Sequence, residues 1–436
     1  MCVLNSANCF RFFALECRVS SEGKHHITAD CYRCPALVKS RRRVVHGYGP
    51  SRATLLIVGR APSRTGSEGT GIPFTGDDAG RRLQWMMERL GLASANGSPL
   101  SGVPAHDCFM TNAIRCVPPG NRAPRIREIR ACRTWLAEEI LRVDPSVIVP
   151  VGSAACRSVF GLMGVKDVGG PRSVQGHVMV RHGYRIYPMG HLLRLRTDHL
   201  REFSDRLTRV IANVQPLAEV RSGRLNQDYV DHVVQQFRMA SRIANERAEY
   251  ETGANGGETY WETRMRILAD LACASLRRIE LADGARPDFR FLGEVRDQIF
   301  VRPFDASAGE HGDLKSAITF QRNAAGVFEY WLLHRHLWHP SDIWRYELVF
   351  REQRLLKRLE PDTEYEGRAR ALEIREKRRL LPPEVVIHDD HAILTVLLWD
   401  RKSGNYEFRI DTVRIDFETG AVTYIDRETK TAPPPG

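Results

Sequence analysis

No apolar run in the 436-residue chain approaches the ~18 residues that a membrane-spanning helix needs. The opening stretch, MCVLNSANCFRFFALEC, has neither a charged leader nor a clean apolar block. No signal peptide is therefore expected. A cytoplasmic location follows, and with it a compartment where structural disulfides are rare. No internal repeat and no dominant low-complexity tract is present, which excludes solenoid and disordered classes. Lysine is scarce. The net charge of +11 rests mainly on arginine, and such a surplus points to a polyanion partner, most simply nucleic acid. A merely soluble basic protein would carry the same charge, so the motifs must decide.

The length exceeds one ordinary core, so two domains are expected. Residues 53–59, ATLLIVG, read as a buried strand ending in glycine. A Gly/Ser/Thr-rich loop follows, then a helix over about Ala79–Leu90 with Leu83, Met86, Met87 and Leu90 on one face. DCFMTNAIRC begins a second strand. REIRACRTWLAEEILRV has helical period, with Ile129, Cys132, Leu136 and Ile140 on one side. SVIVPVG is a third buried strand ending at Gly152, HVMVRHGYRIYPMG a hairpin, and TDHLREFSDRLTRVIANV a closing helix. Strands alternating with helices predict a three-layer α/β/α sandwich around a mainly parallel sheet, with the ligand site beyond the carboxyl ends of the strands. The loops after Gly59, around Asn112 and around Gly190 are the places to look.

Near VQPLAEVRSGRLNQ the pattern changes. Two long helices are expected, at roughly 226–249 and 258–280. FEYWLLHRHLWH, WRYELVFRE, AILTVLLWD and YEFRIDTVRIDF then read as antiparallel strands. The expected division is an N-terminal arm over 1–28, a first domain over 29–218 and a separate α+β domain over 225–436.

The ten cysteines include one C-x-x-C pair, Cys31 and Cys34, and two more in TNAIRCVPPGNRAPRIREIRACRTWL, Cys116 and Cys132. The spacing, C-x2-C-x81-C-x15-C, suits four thiolates around zinc or an iron–sulfur cluster. Zinc ribbons usually close with a second C-x-x-C, and the second pair here is far wider. Cys2, Cys9, Cys17, Cys108, Cys156 and Cys273 read as small buried apolar residues or as exposed ones.

GRAPSRTGSEGTGIPFTGDDAG, residues 59–80, is a glycine-rich loop after a strand, yet it is neither a Walker loop nor G-x-G-x-x-G. Taken alone, Asp77 before AGRRLQWMM would serve as a helix N-cap, Asn112 as a turn residue and His191 as a solvated or core histidine.

Together these segments resemble the iron–sulfur uracil-DNA glycosylases, families 4 and 5, over roughly residues 29–215. The match to the first family 5 motif runs without gaps through Gly59, Ala61, Pro62, Gly71, Phe74, Thr75, Gly76, Asp77 and Gly80. Family 4 places glutamate after the first glycine, where this chain has Arg60. The third motif, GHLLRLRTDHL, keeps His191, Arg194 and Thr197 in register but has Leu192 and Leu193 where the families carry Pro and Ser or Ala.

The resemblance implies a 4Fe–4S cluster on Cys31, Cys34, Cys116 and Cys132, structural in role, tying down a basic DNA-facing loop that includes Arg122. It implies that Gly59, Ala61, Phe74 and Asn112 receive a flipped base, Phe74 by stacking. Asp77 would orient water, and His191 and Asn112 would stabilise the departing base. Arg194 and Thr197 would hold DNA, and Leu192 or Leu193 would wedge into the duplex.

No lysine stands out as a Schiff-base nucleophile, so a monofunctional, monomeric DNA glycosylase of base-excision repair is expected, leaving an abasic site. The departures in the third motif and the large extra domain raise a specialised alternative, an anti-phage enzyme excising hypermodified cytosine such as a glucosylated hydroxymethyl form. A rival of another class is a non-catalytic iron–sulfur DNA-binding module in which Arg60 marks lost activity.

Overall fold

The computed structural model describes residues 31–50, 52–92, 108–165, 174–214, 222–252, 260–276, 279–281, 290–295, 298–302, 312–313, 318–338, 346–349, 381–401 and 408–430. The expected arm over 1–28, with Cys2, Cys9 and Cys17, lies outside the described residues, and so does the side chain of Cys273.

The first sheet contains β1 (Leu55–Gly59), β2 (Cys108–Asn112), β3 (Val147–Pro150), β4 (Met179–Arg181) and β5 (Tyr184–Ile186), in the order β2-β1-β3-β5-β4. β1, β2, β3 and β5 run parallel, and β4 closes one edge as the antiparallel partner of β5. Both turn residues of that hairpin, His182 and Gly183, have positive φ (53° and 80°), as the common two-residue hairpin turn requires. Every residue of β1 and β3 is buried, the expected condition of parallel strands covered on both faces.

Among the described residues the first six helices are α1 (Pro35–Ser40), α2 (Ser67–Thr70), α3 (Asp78–Arg89), α4 (Ile126–Val143), α5 (Gly152–Leu162) and α6 (Thr197–Ala212). One face of the sheet is covered by α3 and α6, whose Leu83, Met86, Leu200, Phe203 and Leu207 pack with Leu55, Ile57, Val147 and Val149. The other is covered by α4 and α5, whose Leu136, Ile140 and Val159 pack with Leu56, Val58 and Ile148. The result is the three-layer sandwich with a mainly parallel sheet.

Next come β6 (Gly223–Arg224), α7 (Gln227–Glu251) and α8 (Tyr260–Ser275). α7 faces two ways. Its Met239, Ala240, Ile243 and Ala244 join the α4 side of the first core, together with Ile267, Leu268 and Leu271 of α8. Its Tyr229, Val230, Val233 and Phe237 join the core of the C-terminal sheet. Buried polar contacts reinforce the first junction. Asp144, which caps α4 in a left-handed conformation, accepts from His232 Nε2 at 3.0 Å and Gln236 Nε2 at 2.8 Å. Arg247 reaches Glu138 at 3.3 Å and Glu251 at 2.7 Å. The two halves thus share helices across the boundary near residue 220.

Short strands β7 (Ile279–Leu281), β8 (Arg290–Val295), β9 (Gln298–Arg302), β10 (Gly312–Asp313) and β11 (Ile318–Phe320) pair among themselves. The last part holds α9 (Ala324–Trp338), β12 (Tyr346–Val349), β13 (Glu384–Ile387), β14 (His391–Asp400), β15 (Phe408–Asp416) and β16 (Val422–Lys430). Its antiparallel sheet has the order β16-β15-β14-β13-β6, with β12 also on β14.

FEYWLLHRHLWH, expected to be a strand, is instead most of α9. Eight of its side chains between Ala324 and Leu333 are buried in one core: Ala324, Ala325, Val327, Phe328, Tyr330, Trp331, Leu332 and Leu333. A helix buried all round has no polar stripe to reveal its period, while its aromatics imitate strand composition. Among the described residues no helix is long and apolar enough to cross a membrane.

Candidate active site

The carboxyl ends of β1 and β2 meet in register, Gly59 opposite Asn112. A Cβ added at Gly59 would lie 2.3 Å from Asn112 Oδ1 and 2.7 Å from Phe74 Cζ. Glycine is therefore what lets an amide and an aromatic ring close over one strand end. Phe74 holds φ +58°, an uncommon conformation for a bulky residue. Its neighbours maintain it. Thr75 is buried and donates to the carbonyl of Ile72 at 2.8 Å. Gly80 lets the first turn of α3 press against the Phe74 carbonyl, where a Cβ would come within 2.2 Å.

Asp77 is the N-cap of α3. Its Oδ1 accepts from the Gly80 amide at 2.9 Å and its Oδ2 from the Ser63 hydroxyl at 2.6 Å. The capping role that the sequence suggests for Asp77 is therefore real. A carboxylate offers about four acceptor positions, so two bonds fix its orientation and leave room for a water. Ser63 is a positioning residue that the sequence did not single out. Its serine lies fourteen residues from Asp77 along the chain, and no local pattern joins them.

Asn112 is buried, and its Nδ2 has no hydrogen-bond partner among the described residues. A buried amide donor left open is rare unless a ligand or water completes it.

His191 caps the short 3₁₀ turn Leu192–Arg194, its Nδ1 accepting from the Leu193 amide at 3.3 Å. That bond puts the ring proton on Nε2. Partial burial holds His191 below the ordinary histidine range, and the guanidinium charges of Arg60 and Arg194 lower it further, against an upward pull from Asp77. Arg60 follows Gly59 in the chain and is anchored, among the described residues, by a 3.4 Å bond from Nη2 to the Asn121 carbonyl. Arg60, Arg194 and Asp77 are near enough to His191 to act on its charge.

Several expected roles shift. Leu192 is buried in the core of the α6 face, so it is unavailable to DNA, while Leu193 stands 51% exposed. The 3₁₀ turn sends one leucine inward and the next outward. Arg122 is held on Glu128 by bonds of 2.6 and 2.9 Å, and Glu128 also accepts from the Arg125 amide at 2.7 Å. The Arg122 guanidinium pulls the Glu128 carboxyl below its usual range, so Arg122 staples the loop to α4. The Ala61 side chain packs on the Leu37, Ile114, Ile129 and Ala154 cluster, on which the cysteines also pack. Arg194 and Thr197 are exposed beside Leu193.

The cysteines form a second cluster. Cys34, Cys116, Cys132 and Ala61 pack on Leu37, Ile114, Ile129 and Ala154, and Cys31 is close enough to raise the Cys34, Cys116 and Cys132 thiols electrostatically. Burial is the larger cause and pushes Cys34 to about 11 and Cys132 to about 12. All four thiols are free, and Arg41 donates to Cys116 Sγ at 3.5 Å and to the Cys31 carbonyl at 2.9 Å. An apolar nest with a cationic donor on one sulfur fits a cluster held by thiolates. Among the described residues no group of His, Cys, Asp and Glu is set to hold a single metal ion. Cys108 and Cys156 are buried in the two apolar layers.

The C-terminal half reaches this loop. Arg33, between the two N-terminal cysteines, donates to Thr134 at 3.2 Å and to the Glu246 carbonyl of α7 at 3.0 Å. Its guanidinium lies over the rings of Trp135 and Tyr250.

Residues 46–218 match the family model described as the uracil DNA glycosylase superfamily. The type-5 uracil-DNA glycosylase of Pyrobaculum aerophilum is 32% identical over 208 residues, 44% of this chain and 86% of that protein. The type-5 enzyme of Thermus thermophilus is 30% identical over 206 residues, 43% of this chain and 94% of that protein. A type-4 uracil-DNA glycosylase of Pyrobaculum aerophilum is 34% identical over 140 residues, 32% and 64% of the two chains. The parallel sheet, the open strand ends and these relatives agree: the chain belongs to the uracil DNA glycosylase superfamily and is a DNA glycosylase.

Proposed function

We propose that the enzyme hydrolyses the N-glycosidic bond of a uracil or related deaminated base flipped out of DNA, and leaves an abasic site. The observation that carries this reading is the open Nδ2 donor of Asn112, buried against Gly59 beside the Phe74 ring. A base stacked on Phe74 presents its polar edge to that amide. Water held by Asp77 forms the new bond to the anomeric carbon as the carbon–nitrogen bond breaks. The bonding pair leaves with the base, and the water's proton passes to the carboxylate or to solvent. His191, neutral with its proton on Nε2, donates to the base oxygen as negative charge builds there, and Arg60 and Arg194 add positive potential. The type-4 and type-5 names of the relatives support uracil as the first substrate to test.

A cluster of the 4Fe–4S type would be held by Cys31, Cys34, Cys116 and Cys132. It would supply structural cross-linking between the N-terminal loop and α4. Absorbance near 400 nm in the purified protein tests it against zinc. Leu193 would fill the space left by the flipped base, and Arg194 and Thr197 would hold adjoining phosphates.

A second reading follows from Arg60. A guanidinium at the pocket rim, loosely anchored, suits a base carrying an oxygen-rich substituent, as in phage DNA with glucosylated hydroxymethylcytosine. Mass spectrometry of bases released from uracil, hypoxanthine and phage DNA separates the readings. Release of uracil or hypoxanthine supports the first, and release confined to the modified cytosine supports the second. No released base and no alkali-labile site from any substrate would leave only a non-catalytic DNA-binding module.

A further inference from the structure

On β5 the side chains alternate. Tyr184 and Ile186 enter the core beneath α4 and α5, so Arg185 points to the opposite face of the sheet, and Tyr187, just past the strand, enters the core there. On α6, Arg206, Arg209, Val210 and Asn213 follow one another at helical spacing, on a single stripe. The stripe and the strand enclose an open trough of about 600 Å³, lined by Arg185, Tyr187, Arg206, Arg209, Asn213 and Gly176 among others.

Tyr187 distinguishes this trough from an ordinary basic patch. It is 1% exposed and stacks on Phe203 at 4.5 Å, yet its hydroxyl has no hydrogen-bond partner among the described residues. Burial raises its pKa most, Glu202 adds to the rise, and Arg206 and Arg209 oppose it. The phenol thus stays a donor, with its oxygen within the field of two trough arginines. The remaining donors are lightly committed. Arg185 reaches the Asn213 carbonyl at 3.4 Å and Arg209 the Asp205 carbonyl at 3.4 Å. Arg206 pairs with Glu202, and Asp205 is engaged by Arg89 at 2.7 Å. Among the described residues no carboxylate lines the trough.

We propose that this trough is a phosphate-binding site, separate from the base pocket, in which Arg185, Arg209 and the Tyr187 hydroxyl together receive phosphate oxygens. Guanidinium forks match phosphate geometry, and three arginines with no carboxylate among the described lining residues favour an anion. The trough is coupled to the catalytic loop. Gly176, at its edge, donates to the Pro188 carbonyl at 3.0 Å, and a Cβ at Gly190 would meet the Gln175 side chain at 3.0 Å. Residues 175–176 therefore back both the trough and the segment that carries His191. The phosphate comes either from the DNA backbone flanking the flipped nucleotide or from a free phosphate monoester.

The test uses the full chain, Tyr187→Phe, which removes only the hydroxyl, and the double variant Arg185→Gln/Arg209→Gln. Calorimetric titration with inorganic phosphate and with thymidine 5′-monophosphate reads the free source. The slope of log affinity for duplex DNA against log salt reads the backbone source. If free phosphate binds, the wild type gives saturable heat, and both variants bind at least tenfold more weakly. If the backbone binds, the salt slope drops by about one in the double variant, for the one phosphate that the two arginines no longer neutralise. In either case base release at saturating DNA stays at the wild-type level, so failure here is distinguishable from failure of the glycosylase reading. No saturable heat with either anion, together with an unchanged salt slope, overturns the proposal.

Discussion

At the ends of β1 and β2, Asn112 keeps a donor unpaired among the described residues, and on the neighbouring loop the His191 Nδ1 bond leaves Nε2 to face a ligand. In the C-terminal half several buried polar groups close on their own neighbours. Arg409 pairs with Asp411 two residues on within β15 at 2.7 Å, Tyr330 of α9 donates to the Gly420 carbonyl at 2.9 Å, and Tyr229 of α7 to Glu329 of α9 at 2.6 Å. Both regions bury polarity and both leave some of it unpaired among the described residues, but Asn112 stands at a strand end whereas Trp331 Nε1 lies inside a closed apolar core. Parallel strands all deliver their carboxyl ends to one rim, where loops can converge on a ligand. Antiparallel hairpins return the chain and gather no such shared rim. The C-terminal half meets the first through α7, which contributes to both cores and pairs Arg247 with Glu138.

The sharpest way to break this comparison is to remove an open group at the rim. His191→Ala should lower single-turnover base release by about 10²–10³-fold, the usual cost of losing one donor to a developing anion. Substrate affinity and melting temperature should change little. Equal loss from Asp411→Asn would contradict the comparison.

The junction is tested by Arg247→Met. Glu138 and Glu251 would lose a buried partner, and the expected loss is about 3 kcal/mol, as for other broken buried pairs. Because α7 contributes to both cores, circular dichroism should record one cooperative transition at lower temperature. Two separated transitions, the first at the wild-type position, would show that the halves fold independently.

Leu193→Ala should reduce release from duplex DNA by roughly tenfold, about the worth of one buried apolar side chain, and spare single-stranded substrate. Equal effects on both would remove the wedge role.

The smallest effect concerns pH. Burial, with the charges of Arg60 and Arg194, holds His191 below its ordinary range, so it stays neutral down through about pH 6.5. Acidification through its lowered pKa protonates Nδ1 and breaks the bond from the Leu193 amide. The acid limb of the pH–rate profile should therefore fall below about 6.5. Arg60→Gln removes one depressing charge and should move that limb upward by a fraction of a unit.

The sequence made the strand ends, the four cysteines and the helix before Leu90 legible, because apolar runs and glycine-bounded loops are local signals. Three features were hidden. Ser63 on Asp77 is a contact between loop residues with no periodic relation. The inward turn of Leu192 depends on a 3₁₀ cap set by His191. The Arg122–Glu128 pair was not visible because an ion pair six residues apart leaves no pattern. α9 was misread for the opposite reason: complete burial erased the polar stripe that marks most helices.

Asp77 carries both a structural and a chemical assignment, so one substitution separates them. Asparagine caps helices about as well as aspartate, and Asp77→Asn should keep the melting temperature while removing the carboxylate that holds water. Single-turnover release of uracil from duplex DNA should then fall by about 10²-fold or more. A wild-type rate in Asp77→Asn, with the fold intact, would contradict the account of this pocket.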